Sequence, residues 1–171
     1  MIQSFERYFL ATNRWAMILL LAAMALIVFA NVVLRYLTNA SIEWGEEVSR
    51  HMMIWLTFIG SGIVLRYGGH IAIENLQDAV PTPFARVIRV IVAMLLITFF
   101  LMLIWTGFAY TQRAMFQLTA STQIPFGYIY AAIPVGGLLL LIHFLLVIRE
   151  YIMHRRFSSD GHFDATASAS L

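Results

Sequence analysis

Three stretches of about twenty residues contain no charged side chain, and each is closed off by arginine. Residues 15–34 lie between Arg14 and Arg35, residues 90–110 between Arg89 and Arg113, and residues 128–148 end at Arg149. A hydrocarbon core about 30 Å thick is crossed by roughly 20 apolar residues in an α-helix. A fourth run, 52–65, lies between Arg50 and Arg66 and is short enough to be re-entrant. Extended back through Val48 and Trp44 it becomes a spanning segment, 44–65, with Glu46 and Glu47 at its wet end. Such a chain cannot fold as a water-soluble domain. Its 171 residues are 61% hydrophobic and only 12% charged, too few charges to cover a water-facing surface. The expected fold is an all-α integral membrane protein with four transmembrane helices.

The arginines suggest an orientation. With four spans, Arg7, Arg14, Arg66, Arg86, Arg89, Arg149, Arg155 and Arg156 share one side, against Arg35, Arg50 and Arg113 on the other. The positive-inside rule puts the larger group, and with it both termini, in the cytoplasm. Three spans with the N-terminus outside give the same count. The four-span reading is preferred because 52–65 has no charge and no proline, and its flanking arginines mark two membrane ends. Arg7 and Arg14 ahead of an apolar run containing Ala23-Met24-Ala25 resemble a secretory signal. The run continues past that site to Leu34, however, so a retained anchor helix is expected.

Between the spans, Asn39, Ala40 and Ser41 form a turn. Glu43, Glu46 and Glu47 then fall in the first turns of the second helix, where acids suit the positive end of the helix dipole, and Glu46 with Arg50 is an i,i+4 pair. In the 66–89 loop Gly68-Gly69 ends the second helix, and Ile73, Leu76 and Val80 predict a short amphipathic helix on the interface. Thr82 with Pro83 suits the start of the third helix. Residues 1–157 form the membrane domain, and 158–171 (SSDGHFDATASASL) read as a disordered cytoplasmic tail.

The composition excludes several chemistries. With no cysteine there is no disulfide, cysteine-based zinc site or c-type haem attachment. All eleven cationic residues are arginine, so a P-loop lysine and a lysine Schiff base are absent. The arginines are spread over the ends of apolar runs rather than gathered in one patch, which argues against nucleic acid. The polar residues within spans are Asn31, Thr57, Ser61, Thr98, Thr106 and His143, and no acid or arginine lies mid-span. A self-contained proton-coupled carrier would show at least one intramembrane acid, so the chain is not expected to move a charged substrate alone. Five histidines raise the alternative of a haem-bearing membrane anchor of an oxidoreductase. His51 and His143 fall at opposite ends of the bundle, His70 lies in a loop, and His154 and His162 lie in the tail, so no pair is placed to ligate one iron. No catalytic or metal-ligating residue is assigned.

The acidic group Glu43, Glu46 and Glu47 has three readings: solvated charges at a helix start, a docking patch for a soluble partner, or a contact to a partner's arginine. Small residues point to helix packing: Gly60, Ser61 and Gly62 in the second span, and the small-xxx-small pairs Gly127/Ala131 and Ala132/Gly136 near the fourth. Pro134 is expected to kink the fourth helix.

Several motifs occur in order along most of the chain: residues 31–37 (NVVLRYL), 41–50 (SIEWGEEVSR), 65–74 (LRYGGHIAIE), Ile124-Pro125, and 130–137 (YAAIPVGG). In this set the chain resembles the small membrane subunit of tripartite ATP-independent periplasmic (TRAP) transporters. W-x-E-E-x-x-R before the second span and R-x-x-x-H-I after it are typical of that family. Gly45 stands where the family often has alanine or serine, and Glu74 where it usually has aspartate. The resemblance implies a non-catalytic subunit of a sodium-driven organic-acid transporter in the bacterial inner membrane. It further implies a large multi-span partner subunit that carries the substrate and sodium sites, a soluble periplasmic substrate-binding protein, and no cofactor in this chain. Arg35, Glu43, Glu46, Glu47, Arg50, Arg66 and His70 become candidates for assembly or docking. Gly60, Gly62, Ala132, Pro134 and Gly136 become candidates for helix packing.

Overall fold

The structure is a computed structural model that describes residues 2–66 and 82–154. The described residues form five helices and no β-strand, apart from an isolated bridge between Leu118 and Pro125. Helix α1 is Ile2–Thr38, α2 Gly45–Arg66, α3 Thr82–Ala114, α4 the short Phe126–Tyr130, and α5 Ala132–His154. Among the described residues four segments are long and apolar enough to cross a membrane: Glu6–Thr38, Gly45–Leu65, Arg86–Ala114 and Phe126–Ile148. At about 1.5 Å per residue, α1 and α3 are much longer than a hydrocarbon core requires. Their apolar centres alone are long enough to cross. The amphipathic helix expected around Ile73, Leu76 and Val80, His70, and the 158–171 tail lie outside the described residues.

The helices do not pack in chain order. Helix α2 lies against α1 on one side and α5 on the other, and α5 lies in turn against α3. The neighbours therefore run α1, α2, α5, α3. Glycine makes this possible because lipid supplies no hydrophobic force between helices, and close approach must provide the attraction. On α2, Gly60 faces Met17 of α1, while a Cβ on Gly62 would come within 2.5 Å of the His143 ring of α5. On α5, a Cβ on Gly136 would lie 2.6 Å from Phe58 Cβ of α2, and one on Gly137 would lie 3.0 Å from Ile104 of α3. Each central helix thus carries two neighbouring glycines, one for each flank. Gly107 of α3 receives Ile133 and Pro134 in the same way.

The apolar core is formed by Leu65, Ala93, Phe100, Leu140, Phe144 and Tyr151, at the end of the bundle where α2 stops and α3 begins. Phe100 meets Phe144 edge-on at 6.0 Å between ring centroids, and Tyr151 closes the stack at 6.2 Å, a geometry aromatic pairs prefer.

The fourth span is interrupted near Pro134, as its proline predicts. The fourth span divides at Ala131, three residues before the proline, into α4 and α5. Pro134 has no N–H to donate to the Tyr130 carbonyl, and its ring crowds that carbonyl. The helix therefore breaks one turn upstream and resumes with Val135 N donating to Ala131 O at 3.2 Å. Ala132, at the restart, is fully buried.

Candidate functional site

The candidate residues divide between the two ends of the bundle. Arg35, Glu43, Glu46, Glu47 and Arg50 gather where α1 turns into α2. Arg66 is the last residue of α2, about 30 Å away along the helix axis, so these residues do not form one site.

At the first end the α1–α2 turn is held by local hydrogen bonds. Thr38 Oγ1 donates to Leu34 O at 2.7 Å, and Asn39 adopts φ 53°, a left-handed conformation that asparagine tolerates. Ile42 N donates to Asn31 Oδ1 at 2.6 Å, and Gly45 N donates to Ile42 O at 2.9 Å. Asn31, a polar residue of the first span, therefore caps the incoming turn. Asn31, Arg35, Gly45 and Glu46 line a pocket of about 100 Å³. The side chains of Glu43 and Glu46 are exposed, as are those of Arg35 and Arg50.

Glu47 has a different environment. Its carboxylate accepts hydrogen bonds from Ser121 N at 2.7 Å, from Thr122 N at 3.0 Å and from Thr122 Oγ1. This ties the start of α2 to the loop between α3 and α4. Thr119, almost fully buried, braces that loop from within: its N–H donates to Ile124 O, Ile124 N returns a bond to its Oγ1, and its hydroxyl meets that of Thr122 at 2.7 Å. Gln123 completes the turn with φ 54° and donates its side-chain amide to the carbonyls of Thr119 and Ala120. On the surface of this loop Phe116 is 91% exposed, with Leu118 and Ile124 also exposed. Glu47 therefore acts as the strut of this loop, while Glu43 and Glu46 remain open to a partner.

The serine and threonines of this loop were not singled out in the sequence. They lie 74 and 75 residues from Glu47, and no spacing rule links a helix start to a distant turn. The same is true at the opposite end. There Asn13 Nδ2 donates to His143 Nε2 at 3.0 Å, with both side chains buried. The Phe9 ring lies 4.8 Å from the imidazole, and Gly62 provides the room for it. His143 thus packs at the crossing of α1, α2 and α5. His51 sits about three turns away along α2, edge-on to Phe126 at 6.3 Å. Among the described residues no group of three or more His, Asp or Glu side chains could hold a metal ion.

The arrangement offers packing faces, an ordered loop and exposed charges at one end. Among the described residues it shows no paired nucleophile and base of the kind catalysis needs. Comparison with known proteins agrees. The family model for tripartite ATP-independent periplasmic transporters, DctQ component, matches residues 24–152. The chain is 31% identical over 121 residues to a TRAP transporter small permease protein of Haemophilus influenzae, covering 70% of this chain and 74% of that one. It is 30% identical over 128 residues to the ectoine TRAP transporter small permease protein TeaB of Halomonas elongata, covering 74% of this chain and 66% of that one. A third match, at 23% identity, is to the sialic acid TRAP transporter permease protein SiaT of Haemophilus influenzae; it covers 70% of this chain but only 19% of that longer protein. A four-span helical chain that carries this family's motifs in order, and matches its model over three quarters of its length, belongs to the DctQ component family of TRAP transporters and is a small permease subunit, not an enzyme.

Proposed function

We propose that this subunit braces a large multi-span TRAP permease subunit in the bacterial inner membrane, within a sodium-driven transporter of organic acids. Both termini lie on the cytoplasmic side in this reading, and the α1–α2 turn with the α3–α4 loop faces the periplasm, where it helps to receive the substrate-binding protein. The observation that carries the bracing role is the unequal burial of the spans. None of the most apolar stretch of α1 is buried within the chain, and only 11% of that of α3 is, against 39% for the span that includes α5. Trp105, Phe29 and Leu26 are among the large side chains left uncovered. The outer helices thus offer long apolar flanks to a membrane partner, while the small-residue contacts keep the bundle rigid. The match to a small part of SiaT supports an association of this four-helix unit with a larger permease. Substrate and sodium are assigned to the large subunit, because no acid or arginine lies mid-span here.

The docking role rests on exposed Glu43 and Glu46 beside the loop held by Glu47. Complementary charge steers a soluble partner to its dock.

A tagged pull-down in mild detergent tests the assembly. A large hydrophobic permease subunit recovered at equal stoichiometry is expected; recovery of the chain alone would overturn the bracing role. Reconstituted complex with its binding protein should take up substrate only with an inward sodium gradient. Uptake by vesicles that lack this chain would show that the subunit is dispensable.

A further inference from the structure

Between Arg113 and Arg149 the chain carries no acid or arginine, and the first part of this stretch, the loop from α3 to α4, folds back as a hairpin. Phe126 N donates to Gln117 O at 2.8 Å, Thr119 N donates to Ile124 O at 3.0 Å, and Leu118 bridges to Pro125. Met115 Sδ packs against Gly127, where a Cβ would lie 2.5 Å from it. Met115, Phe116 and Leu118 are therefore level with residues 125–127, where the fourth span, Phe126–Ile148, begins. The rings of Tyr110 and Tyr130 meet just inside this level at 4.9 Å, and Tyr110 and Tyr128 are exposed, as in the aromatic belt of a membrane protein.

The polar and apolar groups of the hairpin have different fates. Thr119 is buried, and Glu47 takes up the amides of Ser121 and Thr122. Met115, Phe116, Leu118 and Ile124 stay uncovered. From this layout we infer that the hairpin is an interfacial anchor: Phe116 and Leu118 lie in the headgroup–acyl boundary of the bilayer and fix the depth of the two spans that the hairpin joins. Apolar side chains held at that level gain by entering the boundary. The 120–123 tip and the charges of the α1–α2 turn stay on the aqueous side. A soluble protein is the other class of partner for an exposed apolar patch, but charge steers such a partner to its dock. The charges at this end, Glu43, Glu46, Arg35 and Arg50, belong to the α1–α2 turn, and residues 114–125 carry none.

The chain has no cysteine, so introduced cysteines report on single sites. Phe116→Cys, Leu118→Cys and Ala120→Cys are each labelled with bimane in the full chain, purified with whatever subunit accompanies it. Each is reconstituted into vesicles of phosphatidylethanolamine and phosphatidylglycerol, and wild type treated alongside gives the background. A nitroxide near the top of the lipid acyl chain should quench the labels at 116 and 118 several-fold more than iodide supplied on both faces. At 120 the order should reverse. Phe116→Glu in the Leu118→Cys chain should raise iodide quenching at 118 several-fold. Iodide quenching at 116 and 118 equal to that at 120 would overturn the proposal. So would shielding from both quenchers, which would make the patch a seat of the large subunit. Iodide quenching that falls only when substrate-binding protein is added would overturn it too, in favour of a protein dock. Unchanged quenching in Phe116→Glu would likewise remove the anchor. The labels sit on this chain, so loss of the large subunit and failure of the anchor are separate outcomes.

Discussion

Asn13 and His143, 130 residues apart in sequence, meet at 3.0 Å in the interior of the bundle. This contact joins the first helix to the last across the end of α2. In a bilayer an unpaired polar group finds no water to replace its partner, so this pair helps fix where α1 crosses its neighbours. Asn13→Ala should lower thermal stability in detergent by about 1 kcal/mol, near the measured worth of interhelical hydrogen bonds in membranes. His143→Ala, which also opens a cavity, should cost about 2–4 kcal/mol. Equal melting temperatures for wild type and Asn13→Ala would show that the bond carries no stability.

Gly62 and Gly60 are two residues apart, but alanine should be tolerated very differently at the two positions. A Cβ at Gly62 would lie 2.5 Å from a fully buried imidazole, whereas one at Gly60 would meet the flexible end of Met17 at 3.1 Å. Gly62→Ala should cost about 1–3 kcal/mol as an overpacked contact. Gly60→Ala should be close to neutral. Because the clash is with one ring, the double variant Gly62→Ala/His143→Ala should lose less than the sum of the two singles. Thermal melts of the four proteins give the coupling directly.

Glu47 anchors the α3–α4 loop through both backbone amides and the hydroxyl that reach it. In Glu47→Ala the amides of Ser121 and Thr122 should exchange with deuterium markedly faster, while α2 and α5 keep their protection. Glu47→Gln, which retains one acceptor oxygen, should fall between. Under the docking proposal the alanine variant also binds the soluble partner more weakly, yet still co-purifies with the large subunit. Unchanged exchange at 121–122 would remove Glu47 from its structural role.

Gly45 begins α2, and a Cβ there would sit 3.4 Å from Ile42 Cβ and 3.5 Å from Asn31 Nδ2, in ordinary contact. Gly45→Ala should therefore raise stability by about 0.5–1 kcal/mol, chiefly by removing backbone freedom from the unfolded chain. A lower melting temperature would mean that the α1–α2 turn needs the missing side chain. The Asn31–Ile42 bond would then be the first place to look for the damage.

Much of the architecture was legible because a bilayer imposes it. Arg14, Arg35, Arg50, Arg66, Arg89, Arg113 and Arg149 separate apolar runs long enough to cross, and four helices of that length follow. The small residues Gly60, Gly62 and Gly136 were recognisable as packing positions for the same reason: without a hydrophobic force, helices that touch closely need backbone that can approach. The proline signal acts at a distance along the helix. Its effect passes through the carbonyl four residues earlier, so the break falls at Ala131 rather than at Pro134 itself.

Sequence alone established the medium, the spans and the absence of intramembrane acids, since each depends on local composition measured against the thickness and polarity of lipid. Tertiary structure decided which helix neighbours which. It paired Asn13 with His143, spent Glu47 on a loop more than seventy residues away, and left Glu43, Glu46 and Arg50 exposed. Those outcomes depend on how helices cross in three dimensions, where a single close-packed glycine or one buried hydrogen bond selects among neighbours that local patterns make equivalent.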